Sequence, residues 1–219
     1  MTSLRWKSYR ANTIFAAIAL AALLTPLVGA QTATLRVDNV NGDVPPNADG
    51  SAWGSSAFKF LQDAIDEAQQ LLNGQQPPDN VELWVASGTY FPDEDASNPN
   101  GTDLRTATFE MHNNVHIRGG FVGDEQNLSE WNPQTADPAI LSGDLNGPGD
   151  DSVTVNTDQD GNFDGLTFSN YGDNSHHVVT AEDVDFTAVL DSVTVRGGNA
   201  NADGANGESG GALLINSET

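Results

Sequence analysis

The sequence contains no cysteine in its 219 residues. No disulfide can form, so buried area, hydrogen bonds or bound ions must hold the fold. Basic residues are scarce: 8 Lys and Arg stand against 31 Asp and Glu, a formal net charge of −23. Such a field repels phosphate backbones and anionic lipid and attracts cations, which argues against nucleic acid or a bare acidic membrane as partner. Long apolar runs are missing too, with one exception at the start of the chain.

That exception follows a basic lead of Arg5, Lys7 and Arg10. An uncharged apolar run goes from Ile14 to Val28 and ends in the small residues Gly29 and Ala30. This three-part pattern reads as a secretory signal, residues 1–30, cleaved after Ala30. At about 15 residues the run is short of the roughly 20 needed to span a bilayer. Removing it takes away three basic residues and no acid, leaving five basic against 31 acidic. The expectation is a secreted or cell-surface protein without a transmembrane helix once the signal is gone. About 190 residues remain, enough for one core.

The remaining chain opens with a short alternating strand, Thr34 to Val37, and a turn-rich segment with Pro45-Pro46 and Asp49-Gly50. Trp53 is the large apolar residue of that loop and should pack down against the body. Residues 31–80 read as a capping region around a helix at about 56–73. Phe58, Leu61, Ile65, Ala68 and Leu72 recur at steps of three and four, the spacing of one helix face. Ser55 or Ser56 offers a cap at its start; Asn73-Gly74 and Pro77-Pro78 close it.

From Val81 onward the pattern is β. Short alternating segments are expected at 81–85, 89–91, 107–111, 115–117, 140–141, 177–180, 188–195 and 212–215. The phrase Val115-His116-Ile117-Arg118-Gly119-Gly120 returns as Val193-Thr194-Val195-Arg196-Gly197-Gly198. Spacing between segments is uneven, and hairpin turns of the Asn-Gly kind do not join them. That pattern favours a stacked coil over a sandwich. The expected class is all-β: a right-handed parallel β-helix over 81–219 with an N-terminal amphipathic helix as end cap. A β-sandwich binding module is the alternative.

Several phrases resemble a known family. Asp49-Gly50-Ser51-Ala52-Trp53, Leu61-Gln62-Asp63-Ala64 and Leu83-Trp84-Val85-Ala86-Ser87-Gly88-Thr89-Tyr90 look like the opening of exported bacterial proteins with right-handed parallel β-helix repeats. These are related to the pectin-lyase-like and polymorphic outer-membrane protein superfamilies. Gly119-Gly120-Phe121-Val122-Gly123-Asp124-Glu125 and Ile140-Leu141-Ser142-Gly143-Asp144-Leu145-Asn146-Gly147 continue the similarity in order. The resemblance implies a surface architecture rather than an activity. Such proteins run on for many more coils, so it also implies a chain cut short at Thr219.

The residues that carry chemistry are few. His112, His116, His176 and His177 lack the spacing of a zinc set, and no Gly-x-Ser-x-Gly nucleophile motif occurs. Asp144, Asp150 and Asp151 can gather after the Ile140-Leu141 strand, with Arg118 or Arg196 as a base in a glycan-cleaving reading. For a metal, the sequence points to calcium at Asn156, Asp158, Asp160 and Asp164. Asn156-Thr157-Asp158-Gln159-Asp160-Gly161 sets oxygens at alternate positions before a glycine, like the first half of an EF-hand loop. Thr167 stands where that loop needs a bidentate Glu, and ordinary turn formation explains the same residues. Asn199-Ala200-Asn201-Ala202-Asp203-Gly204 repeats the half motif. The functional expectation is a non-catalytic, structural or adhesive segment in contact with extracellular polysaccharide or cell-surface components. Its rival is part of a polysaccharide lyase or glycoside hydrolase.

Overall fold

A computed structural model describes residues 30–146, 149–201 and 210–216. The secretory-signal reading of residues 1–29 and the turn ending at Asp203-Gly204 lie outside the described residues. Strand β1 (Thr32–Val37) leads into a turn-rich segment and then helix α1 (Leu61–Leu72). Next come β2 (Asn80–Ala86), β3 (Gly88–Tyr90), β4 (Phe109–Glu110), β5 (Val115–Phe121) and β6 (Ala139–Ser142). The remainder holds β7 (Ser152–Thr157), β8 (Phe163–Ser169), β9 (Val179–Glu182), β10 (Val189–Asp191), β11 (Val193–Arg196) and β12 (Leu213–Asn216).

These strands form four small sheets, ordered β1-β2-β5-β10, β11-β6-β3, β12-β9-β4 and β7-β8. The first three are parallel and the last is antiparallel. This corrects the expected β-helix. Instead of one uniform all-β coil, the structure is about 33% strand, in several small, mostly parallel sheets of two to four strands, with one α-helix among the described residues. The physical reason lies in the segments themselves. They run from two to seven residues, and the stretch between β6 and β9, where no strand is expected from the sequence, pairs with itself as a hairpin.

The inward faces of the parallel sheets share one core. Period-2 alternation turns Leu35 and Val37 inward from β1, Val81, Leu83 and Val85 from β2, and Val115 and Ile117 from β5. Tyr90, Phe109, Ala139, Leu141, Val179 and Ala181 from the other two sheets complete it. Each fully buried aliphatic side chain contributes about 1.5–3 kcal/mol relative to exposure.

Helix α1 buries Leu61, Ala64, Ile65 and Ala68 in that core, packing against β1 and β2. Phe58, expected on its face, is also buried, but it pairs by bridges with Val37 and Asp43 ahead of the helix. The start is capped by neither serine: Phe60 is the N-cap, without a side-chain bond, and Ser55 and Ser56 lie in a 3-10 turn. The expected end holds, with the Asn73 backbone N–H donating to Gln69 O at 3.0 Å and Gly74 to Leu71 O at 3.2 Å.

The echoed phrase occupies two unlike places. Val115 to Arg118 belongs to the β1-β2-β5-β10 sheet, where its neighbours are β2 and β10, while Val193 to Arg196 pairs with β6 in another sheet. The stretch expected as one strand over 188–195 is broken at Ser192, whose φ of 54° lies in the left-handed region. That single corner sends the chain from one sheet to the next. Gly119 sits under it, where a Cβ would come within 2.4 Å of Ser192 O.

Candidate functional site

Strand β6 delivers the first element of the site. Ala139 and Leu141 point into the core, and beyond Ser142 the chain is clamped on both sides. Gly143 N donates to Arg196 O at 2.9 Å, and Gly143 O accepts from Ser175 N at 2.7 Å. Asp144 is thereby held in the interior at 5% exposure. Its Oδ2 accepts from Gly149 N at 2.5 Å, and its Oδ1 has no hydrogen-bond partner.

Asp150 and Asp151 enter at the foot of the β7-β8 hairpin. One oxygen or equivalent ligand atom of each of Asp144, Asp150 and Asp151 lies within 4.8 Å of the others. Asn174 supports the group from the far side of the hairpin. It is fully buried, its Nδ2 donates to Asp151 Oδ2 at 2.8 Å, and its Oδ1 is unpartnered. The Asn174 backbone is fixed by Arg105, whose Nε donates to its carbonyl at 2.6 Å.

Together Ser142, Asp144, Asp151, Tyr171 and Arg196 line a cavity of about 290 Å³. Desolvation raises the Asp151 carboxyl above its ordinary value; the Asn174 bond opposes this, and the charges of Asp144, Asp173 and Asp150 add to it. Arg196 lines the cavity yet makes no ion pair with these carboxylates among the described residues. Arg118 differs: it lies 3.8 Å from Glu82 and 3.9 Å from Asp191, and sits over the Trp131 ring at 5.0 Å. It is committed to the outer face of its sheet and stays away from the acids.

The structure therefore brings together Asp144, Asp150 and Asp151 and adds Arg196 to their cavity. Asn156, Asp158, Asp160 and Asp164 are placed otherwise. Asn156 is the penultimate residue of β7 and donates through Nδ2 to Thr167 Oγ1 at 2.9 Å. Asp158 Oδ1 accepts the backbone N–H groups of Asp160 and Asn162 at 2.9 and 2.8 Å, closing the hairpin turn. Asp164 lies on β8. Among the described residues, these acids form no converging ligand group.

The histidines are dispersed. His112 bonds Gln69, His116 lies 3.9 Å from Glu82, and His176 and His177 face the backbone oxygens of Asn199 and Gly210. Sequence reasoning missed Asn174, Tyr171 and the hairpin. Val153 and Val155 alternate with Thr154, and Phe163, Leu166 and Phe168 follow the Asp-Gln-Asp-Gly turn, so a hairpin signal was there to read.

Chemically, the described side chains lining the cavity are oxygen donors and one arginine. Carboxylate, amide and hydroxyl oxygens suit hard cations rather than zinc or copper. No family model matches the chain, and no curated protein or solved structure matches it. No helix among the described residues is long and apolar enough to cross a membrane.

Proposed function

We propose that the chain is a non-catalytic segment of an exported, cell-surface protein whose role is contact with extracellular polysaccharide or envelope components. The observation that carries this reading is the inventory of the acidic cavity. Its side chains are oxygen donors plus Arg196, and each histidine lies elsewhere with a partner of its own. A serine, threonine or cysteine nucleophile poised on a histidine base has no counterpart among the residues described there. The secretory pattern at the N-terminus, the excess of acid and the similarity of Asp49 to Trp53 and Leu83 to Tyr90 to exported surface proteins support the setting.

The test is incubation of the full chain with a panel of acidic and neutral glycans. Retention of a glycan without new reducing ends or unsaturated products is the expected result. Release of such products would overturn the non-catalytic reading.

One observation favours a second reading, a glycan-cleaving enzyme. Asp151 is held above the ordinary carboxylate range next to Asp144, an environment suited to a general acid in a carboxylate pair. In that case Asp151→Asn abolishes product formation while leaving glycan retention in place.

A further inference from the structure

Several carboxylates among the described residues have a visible occupation. Asp38, Asp93, Asp95, Asp158 and Glu125 each accept backbone N–H groups of their own loops. The group around Asp144 is only partly answered in this way: Asp144 Oδ2 accepts from Gly149 N, and other oxygens of the group are left over. Asp144 Oδ1 and Asp151 Oδ1 are buried and unpartnered, and so is Oδ1 of the fully buried Asn174. Asp173 adds a further unpartnered buried oxygen nearby. Like charges gathered out of water repel, and buried oxygens without donors are costly. Arg196 is the available protein cation, and it makes no ion pair there among the described residues.

A ligand that answers all of these oxygens at once must be small and positive and must accept several lone pairs. We propose that Asp144, Asp150 and Asp151, with the amide oxygen of Asn174, bind one divalent cation, calcium in the first instance. The geometry admits it. Calcium–oxygen distances are about 2.3–2.6 Å, so ligands on opposite sides of one ion lie about 4.6–5.2 Å apart. The three carboxylates meet within 4.8 Å. Asn174 is no member of the acidic trio and comes from the other side of the hairpin, yet it presents a buried unpartnered oxygen beside them. The cavity leaves space for waters to complete the six to eight oxygens calcium takes. Magnesium, which demands a tighter octahedron, should bind more weakly.

The inference does not depend on glycan contact; it places the cation at the β6–β7 junction and away from the hairpin turn first suggested by sequence. Calcium titration of the full chain by calorimetry tests it, with terbium luminescence excited through tyrosine as the locating readout. One saturable site is expected. Asp150→Asn, at an exposed position that the fold does not need, and Asp151→Asn should each weaken binding at least tenfold. Asp158→Asn with Asp160→Asn should change nothing. Tyr171→Phe should dim terbium emission with affinity kept, because Tyr171 lines the cavity. Arg196→Gln should tighten binding by removing a competing charge. Absence of saturable binding at millimolar calcium overturns the proposal. So does binding that survives Asp150→Asn and Asp151→Asn but disappears with the hairpin pair, which would return the ion to the turn.

Discussion

In the loops around β1, β2 and β5, carboxylates work as acceptors for the backbone. Glu125 takes Val122 N at 2.7 Å on one oxygen and Gly123 N and Asp124 N at 3.0 and 3.2 Å on the other. The same face stacks Trp84 on Phe121 at 4.8 Å, sets Arg36 over Trp84 at 5.2 Å, and bonds Trp53 and Trp131 to the carbonyls of Glu125 and Gly119. The Glu125 carboxylate and the indole N–H groups of Trp53 and Trp131 there are answered locally. Around Asp144 to Asp151 the carboxylates face one another, and the adjoining hairpin buries nothing: Val155, Phe163 and Phe168 are 62%, 69% and 61% exposed. The first region is built to stay folded; the second leaves charge and apolar surface available to something outside the chain. The two regions thus use their acids differently, one structurally and one openly.

The contrast can be broken at several points. The largest effect should come from Phe109→Ala in the core, a fully buried ring whose loss costs about 3–5 kcal/mol. Phe163→Ala on the hairpin should stay within about 0.5 kcal/mol; urea unfolding of both variants compares them, and equal losses would erase the distinction. Glu125→Gln should follow, at about 1–3 kcal/mol, because an amide cannot accept on both sides of the backbone cradle. Its sign with pH is fixed. Desolvation pushes the Glu125 carboxyl up, but the backbone N–H bonds outweigh it and hold it below the ordinary value. The stabilisation is present above the unfolded carboxylate value and is lost as pH falls through the folded one. The wild type should therefore lose its advantage over Glu125→Gln on acidification, as read by thermal melts across pH.

Smaller still is the corner between β10 and β11. Ser192→Val forces a β-branched residue into a left-handed conformation and should cost about 1–2 kcal/mol, with Ser192→Gly close to neutral. The smallest effect separates the two arginines. Arg118→Gln gives up two partly buried pairs and a ring contact, up to about 1 kcal/mol. Arg196→Gln should cost no stability. A larger loss at Arg196 than at Arg118 would mean that the cavity acids are neutralised from within.

How much of this was legible in the sequence varies with the range of the interaction. Alternation placed the strand at 81–85 and the one at 115–117, since local period-2 burial is what a half-buried strand records. Trp53 packs down as its isolation in a polar loop implied. Sheet assignment was out of reach. Val115 to Gly120 and Val193 to Gly198 read alike, yet the left-handed glycine is Gly120 in one and Gly197 in the other. The strands belong to different sheets because a corner at Ser192, invisible in composition, intervenes. The β-helix expectation failed for a related reason: uneven segments can stack as one coil or divide into small sheets, and periodicity does not separate the two. Asp144, Asp150 and Asp151 were nameable as neighbours in the chain. Asn174 was not, because the hairpin that carries it back to Asp151 was read as a turn with metal-like spacing.

The two populations of carboxylate can be separated by following side-chain carboxyl carbons of Asp and Glu by NMR through an acid titration, free of divalent ions. Desolvation first, reinforced by Asp144, Asp173 and Asp150 and opposed by Asn174, sets Asp151 above the ordinary range, while the backbone cradle sets Glu125 below it. The account predicts that Glu125 titrates at lower pH than a free glutamate and Asp151 at higher pH than a free aspartate. It also predicts that calcium moves Asp151 down and leaves Glu125 in place. If both titrate together near the ordinary value, and calcium moves neither, the division into structural and open carboxylates is contradicted.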